Sequence, residues 1–369
     1  MENKNNGLLQ DLIDTLNRMK AEYENSKVKC GIIGMSGSGK SSLINAIAGE
    51  KIAQVGSTEQ TLDPQEYQHG GLYFVDLPGC STQKWPKASY INDLKLNEYD
   101  CFIIVTANRF FEDDAFLYSE LNNKLKKPCF LVRNKFDLAV YDEKFDNDLT
   151  EEETREKIIK NICENLRPLQ PQKIYLTSAR FPKKYDFPEL LIDISTSLDG
   201  IKRQRFVADM CAWNEKAFLA KRKVAEKLVT IYSGLAAANG LNPIIGLDVS
   251  IDVSLLLKLS KEISQIYGLT NEQFKYTQNY IVDEPTLRVL KQKVAQYIAK
   301  YLLKEGIIKI LEALGKREAL KIAAKYIPLL GSAIAAGLGY KLTYNFGDDL
   351  IEESEKLAKE LLEDIIENT

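Results

Sequence analysis

The sequence is almost without histidine: His69 is the one imidazole in 369 residues. That excludes His-rich metal sites and any mechanism that needs two histidines. The six cysteines (Cys30, Cys80, Cys101, Cys129, Cys163 and Cys211) are scattered, contain no C-x-x-C pair and sit mostly in apolar runs. They read as reduced core thiols in an intracellular compartment, not as a disulfide framework or a zinc site. Neither sign of charge dominates. Lys and Arg total 49 against 52 for Asp and Glu, a net charge of −3, so nucleic acid is not expected as a partner. No apolar run is long enough to cross a bilayer. The longest near-continuous one, 327–340, has 14 residues, where a spanning helix needs about 20. The opening MENKNNGLLQ lacks a signal-peptide core, and Glu2 stands where N-myristoylation requires glycine. The expectation is a cytoplasmic protein that meets an intracellular membrane only peripherally.

What is present divides the chain in two. Residues 8–24 carry Leu8, Leu9, Leu12, Ile13, Leu16 and Met19 at helical spacing. Short apolar runs then alternate with helical patterns, and strands are expected at 27–34, 71–76, 100–106, 128–133 and 172–177. This is the grammar of an α/β domain with a mostly parallel sheet. After Asp199 the patterns are helical throughout. The expected organisation is an N-terminal helix (1–26), an α/β domain (27–199) and an all-α domain (200–369). By its own pattern the N-terminal helix packs either on the helical part or on the flank of the sheet. Two look-alike segments, 242–256 and 327–340, each open with Pro, two aliphatics and Gly. They read as tight helix corners in a buried core in preference to membrane-contacting hairpins. The basic stretch 216–227 reads as a solvated helix face, and the acidic tail 348–368 as an amphipathic helix packed on the helical domain.

Three motifs carry the chemistry. Gly34-Met35-Ser36-Gly37-Ser38-Gly39-Lys40-Ser41 fits G-x-x-x-x-G-K-[ST], with a strand before it and a helix, beginning at Ser41-Ser42, after it. Glycines let the backbone N–H groups curl around a phosphate. Lys40 neutralises the β- and γ-phosphates, and the Ser41 hydroxyl ligates Mg2+. Asp76-Leu77-Pro78-Gly79 ends a strand 36 residues beyond Lys40. There Asp76 can hold Mg2+ through water and the Gly79 N–H can reach the γ-phosphate. Asn134-Lys135-Phe136-Asp137 follows another strand. Its aspartate can accept hydrogen bonds from both N1–H and the 2-amino group of guanine, a pair that adenine cannot supply. Asn134 can hold the loop, and the Lys135 stem can lie over the base. Thr177-Ser178-Ala179 completes the set, with Ser178 and Ala179 placed to offer backbone N–H to the guanine carbonyl. In this order, each after its own strand, the motifs make a P-loop GTPase domain that binds GTP and GDP with Mg2+.

A mobile switch belongs between the first two motifs, in Val55-Gly56-Ser57-Thr58-Glu59-Gln60-Thr61. Thr58 and Thr61 are both candidates to complete the Mg2+ shell. Many GTPases place a water-orienting glutamine just after the D-x-x-G glycine. Here the residue is Cys80, whose sulfur is a poor substitute. The chain is therefore expected to hydrolyse GTP slowly, to borrow a group from a partner, or to use another residue of its own. Glu59 is the acidic residue best placed for that.

These segments resemble the immunity-related (interferon-inducible) GTPases of the IRG type, dynamin-like relatives within the GTPase superclass. The likeness extends from about residue 28 to about residue 345. It covers the switch segment and the three motifs, and, more specifically, the stretch 183–190 and the helical segments 243–269 and 326–344. The resemblance implies that the N-terminal helix joins the C-terminal half in one helical domain. It implies self-association in the GTP state, one G domain against another, with Glu59 catalytic across that dimer and Thr61 as the switch threonine and metal ligand. It also implies action at intracellular membranes. Two departures stand out: Asn134 where the family usually has threonine, and Lys40, which groups the chain with lysine-bearing members and not with those carrying methionine. The competing reading is a nucleotide-gated scaffold with little turnover.

Overall fold

The structure, a computed structural model, describes the backbone of residues 2–55, 63–108, 112–240, 248–281, 283–322 and 331–365. It describes the side chains of 10–55, 63–108, 112–238, 253–281, 283–314 and 339–365. The described chain forms two compact units, residues 26–217 and residues 1–25 with 218–366.

The first unit is built on six strands: β1 (Val28–Ile33), β2 (Gln65–His69), β3 (Leu72–Asp76), β4 (Cys101–Thr106), β5 (Cys129–Arg133) and β6 (Ile174–Leu176). Their order is β2-β3-β1-β4-β5-β6, parallel except for the β2–β3 hairpin. Every residue of β4 is buried, and β5 is buried from Phe130 onward. Continuous apolar runs suit strands that are covered on both faces. One face packs Ile33, Phe102, Ile104 and Leu131 against Leu117, Leu121, Ile162 and Leu166 from two flanking helical segments. The helix carrying Ile162 and Leu166, Glu151–Leu166, starts from a reciprocal cap. The Thr150 hydroxyl accepts from the Glu153 N–H, while Glu153 accepts from the Thr150 N–H.

Five of these strands lie where the sequence places them. The sixth, β2, was not expected. Its sequence, QEYQH, has no apolar run, because an edge strand buries little and pairs on one side only.

The helix Gly200–Asp209 also departs from expectation. It belongs to the sheet-bearing unit, which runs on to Ala217 and not to residue 199. A buried clamp explains this. Asp209 takes a two-pronged ion pair from Arg205 through Nε and Nη2, and its Oδ2 accepts from the Gly71 N–H at 2.6 Å. Gly71 lies in the β2–β3 turn, where a Cβ would fall 2.6 Å from the Arg205 side chain. The chain beyond is tied down as well. The Cys211 N–H donates to the Ile47 carbonyl at 2.7 Å, and Trp213 Nε1 donates to the Ala46 carbonyl at 2.9 Å.

The second unit is built of helices joined by short turns, with no strand among its described residues. Its long helices are Glu2–Asn25, Glu215–Gly240 (within the unit from Phe218), Asp248–Ile266, Glu284–Tyr297, Lys304–Ile322 and Gly331–Glu363. Small residues bring them close: a Cβ on Gly234 would meet Leu16 at 2.7 Å, and one on Gly347 would meet Val229 at 2.5 Å. Buried polar groups are paired along the seams. Lys221 Nζ donates to the Ile266 carbonyl, and Tyr297 bridges the hydroxyls of Ser264 and Ser354 at 2.8 and 2.7 Å. The stretch 216–227 therefore has a core side, with Phe218, Lys221, Val224 and Ala225 buried, and a solvated side carrying Lys216, Lys223 and Lys227. The acidic tail likewise buries Leu350, Ile351, Leu357 and Leu361. The Pro-aliphatic-Gly openings at 243–246 lie outside the described residues, as do positions 328–330 of the second segment.

Asp209→Ala removes the buried carboxylate that Arg205 and Gly71 share, a loss worth about 3–5 kcal/mol. Both tryptophans, Trp85 and Trp213, lie in the sheet-bearing unit. A urea titration followed by tryptophan fluorescence is expected to show its midpoint shifted strongly downward. An unchanged midpoint would refute the clamp.

Candidate functional site

The phosphate loop begins where β1 ends. Gly34 has φ 155° and Gly39 has φ 89°. A Cβ on Gly34 would lie 2.1 Å from the Val105 carbonyl oxygen, and one on Gly39 would lie 2.4 Å from the Asn134 amide nitrogen. Both glycines are thus required by close backbone approach as well as by conformation. Gly39 caps the helix Lys40–Ala48. Ser36 and Gly37 form an exposed rim, while Ser41 and Ser42 are half-buried in the first turn of the helix. Lys40 is buried and curls back over the loop. Its Nζ donates to the Gly34 carbonyl at 2.8 Å and the Met35 carbonyl at 3.3 Å, and it lies 3.6 Å from the Asp76 carboxylate. The Ser38 Oγ is buried with no hydrogen-bond partner among the described residues. A cavity of about 250 Å³ opens beside the loop, lined by Met35, Gly37, Ser38, Thr106, Asn108 and Asp114.

Asp76 ends β3 directly opposite Ile32 of β1. Together with the Ser41 hydroxyl it offers hard oxygen donors next to the lysine, a donor set that suits Mg2+. The chain then turns sharply. The Leu77 N–H donates to the Ile32 carbonyl at 2.9 Å, and the buried Tyr90 hydroxyl donates to the Pro78 carbonyl. Gly79 is exposed, but Cys80 is turned into the core. Burial, with Asp113 nearby as a lesser cause, pushes the Cys80 thiol up to about 11, so it is neutral at physiological pH. It therefore faces apolar neighbours and not solvent, and it offers nothing to orient a water. Ser81 donates to Asp113 at 2.9 Å, and Lys87 pairs with the same carboxylate at 2.7 Å.

The base side is organised by Asn134, which is almost fully buried. Its Nδ2 donates to the Ser38 carbonyl of the phosphate loop at 3.1 Å. Its Oδ1 accepts from the Ala179 N–H at 3.2 Å and from the Thr177 hydroxyl at 3.4 Å. One amide therefore joins three loops. The Ala179 N–H, expected to face the base, is directed to Asn134. Lys135 adopts the left-handed conformation at φ 58° and leads into the helix Phe136–Asn147, with Asp137, half-buried, in its first turn. Phe136 anchors that turn. Its N–H donates to the Thr177 carbonyl at 3.0 Å, its ring meets Tyr185 edge-on at 4.9 Å, and the Arg155 guanidinium lies over it at 5.4 Å. Ser178 Oγ accepts from the N–H groups of Arg180 and Phe181 at 3.2 and 3.3 Å, which fixes the last loop.

Glu59, Thr58 and Thr61 lie outside the described residues. Among the remaining expected positions, the structure gathers the phosphate loop, Asp76 and the Asn134–Asp137 segment at the C-terminal ends of β1, β3 and β5. One contributor was not read from the sequence: Tyr90, which fixes Pro78, sits in a short helix with no local signal. Arg133, at the end of β5, is buried and donates to the Asn134 carbonyl.

A family model for interferon-inducible GTPases matches residues 1–318. The chain is similar to interferon-gamma-inducible GTPase 10 of Mus musculus, with 25% identity covering 96% of this chain and 86% of that protein. It is also similar to interferon-inducible GTPase 1 of Mus musculus, with 27% identity covering 67% of this chain and 63% of that protein. Among solved structures it has a loose likeness to Toc33 from Arabidopsis thaliana in complex with Mg2+ and GMPPNP. That likeness is 17% identical with a TM-score of 0.32, and it covers 47% of this chain and 79% of the other.

Asn134→Ala leaves the Ser38 carbonyl and the Ala179 N–H without their shared partner. A buried polar group left unmade costs about 1–3 kcal/mol. GDP is expected to bind roughly tenfold or more weakly in an equilibrium titration, since 1.4 kcal/mol is about tenfold. Unaltered affinity would mean that the loops keep their register without this amide.

Proposed function

The chain belongs to the interferon-inducible GTPase family and is a GTPase, and on that premise we propose how it works: it self-associates through its sheet-bearing unit in the GTP state and hydrolyses GTP within that assembly. The observation that carries this reading is Cys80. The position where a water-orienting side chain would be expected holds a neutral, buried thiol. The isolated site therefore has no evident means of activating water among its described residues, and the missing group must come from the switch or from a second copy. Glu59 takes that role and Thr61 closes the switch.

In this reading the backbone of Gly34, Ser36, Gly37, Ser38 and Gly39 cradles the phosphates of GTP, with the Gly79 N–H at the γ-phosphate. Lys40 exchanges its loop carbonyls for phosphate oxygens, and the first turn at Ser41 and Ser42 adds the positive end of its helix dipole. Ser41, Asp76 and Thr61 would hold Mg2+, which when bound neutralises charge on the β- and γ-phosphates. Asp137 reads the guanine edge, Lys135 covers the ring, and Ser178 and Ala179 close the base loop. A peripheral contact with an intracellular membrane is part of this reading. No helix among the described residues is long and apolar enough to cross a membrane, and a cytoplasmic protein recruited to an intracellular membrane fits that composition.

The same buried thiol supports a second reading, in which GTP only switches the conformation of a binding scaffold. Specific activity against protein concentration separates the two. In the first reading, GTP hydrolysis per protomer climbs with concentration, and Glu59→Ala stays flat and low while still binding GTP. An activating group supplied in trans is worth about 10³–10⁵ in rate. Activity that is constant per protomer, or absent while GTP binds, would favour the scaffold.

A further inference from the structure

Arg133 is a buried charge with little compensation among the described residues of the sheet-bearing unit. It ends β5 and is 8% exposed. Its one hydrogen bond among the described residues is Nη1 to the Asn134 carbonyl, at 2.6 Å. Burial lowers its pKa to about 10, and no carboxylate among the described residues offsets that effect, yet it remains a cation at neutral pH. A buried charge is normally paired, because an uncompensated one is costly. The guanidinium lines a cavity of about 160 Å³, with Thr106, Asn108, Lys157 and Asn161 as its polar walls and Ile158 and Ile162 as its apolar floor. Lys157 is held by both oxygens of Glu143 at 2.7 Å. Lys157 and Glu143 cancel, and among the described residues Arg133 leaves the cavity with a charge of one positive unit.

We propose that this cavity is a binding site for a small oxyanion, a carboxylate or a phosphate group, held by the Arg133 guanidinium and reached past Asn161 and Asn108. The planar fork of arginine suits such oxygens, and two side-chain amides at the mouth can complete the shell. The site is coupled to the nucleotide through one covalent step. Arg133 holds the carbonyl of Asn134, and the Asn134 amide ties the phosphate loop to the base loop. An anion that immobilises the guanidinium stiffens the base loop and slows nucleotide release. The site rests on the guanine-nucleotide reading only for that last consequence.

The test uses the full chain loaded with a fluorescent GDP analogue. Its release is timed during titration with sodium acetate or sodium phosphate, against sodium chloride at matched ionic strength. Release is expected to slow saturably by about fivefold, the worth of one ordinary hydrogen bond. Acetate acting alone identifies a monoanionic carboxylate site, and phosphate acting as well identifies a general oxyanion site. The effect is expected to vanish in Arg133→Gln and in Asn161→Phe. The second variant blocks the mouth from an exposed position and leaves the buried cation in place, so it still reports if the first fails to fold. The thermal midpoint of the nucleotide-free chain supplies a second readout, expected to rise with acetate beyond the chloride control and not to rise in Asn161→Phe. A chain that binds no GDP fails the earlier reading, and this midpoint then decides the anion site alone. Anions that act no differently from chloride in both readouts, or that act equally on Asn161→Phe, overturn the proposal.

Discussion

One side-chain amide sets the geometry of the candidate site. Asn134 gives its N–H to the phosphate loop and takes N–H and O–H from the segment after β6. Its own backbone N–H donates to Thr106 at the end of β4 at 2.8 Å. The end of β4 and the loops following β1, β5 and β6 therefore meet at a single buried residue. Gly39 has no side chain because this amide occupies the space a Cβ would need. Asp137 comes three residues later, after one left-handed residue and one buried aromatic ring, so its position follows from that of the amide. In a low-dielectric interior such a network is stiff when every member is satisfied and expensive when one is lost.

The helix that carries the phosphate loop is held at both ends. At its start, Lys40 lies between the loop carbonyls and Asp76. At its finish, Cys211 and Trp213 take the carbonyls of Ile47 and Ala46. The segment leaving the sheet-bearing unit is thus bonded to the helix that would meet the phosphates. The Arg205–Asp209 clamp fixes the same segment to the hairpin that delivers β3 and Asp76. Rigid support of this kind is what places a handful of side chains within the tolerance that binding requires.

How much of this the sequence discloses depends on what each residue must satisfy. Strands buried on both faces announce themselves as apolar runs, which is why β1, β4 and β5 are legible. β2 is polar and needs only one partner, so QEYQH looks like a loop. The glycines and the lysine of the phosphate loop are legible because backbone approach to a phosphate leaves few alternatives. Arg205 and Asp209, four apart on a helix, carry no sequence signal of burial, and only the packing against Gly71 makes them a buried clamp. That is also why the unit boundary falls later than the change of pattern at residue 199. Cys80 is visible as a missing glutamine, but its inward turn is not, because the bonds that hold its neighbours, Tyr90 to Pro78 and Ser81 to Asp113, are made outside the motif. The role of Asn134 as a tie among loops was legible only in part, since spacing cannot show that Ala179 spends its N–H there.

Base selectivity tests this arrangement most directly. Xanthine carries a carbonyl where guanine has its 2-amino group, so an amide at position 137 should prefer it. The dissociation constants of GDP and xanthosine diphosphate are to be measured for the native chain and for Asp137→Asn. If the tied loops aim Asp137 at the base, the native chain prefers GDP. The variant then loses GDP by about a hundredfold, as expected for two hydrogen bonds to a charged group, and gains xanthosine diphosphate. An Asp137→Asn chain that keeps its preference for GDP would contradict the assignment of this loop to the guanine base.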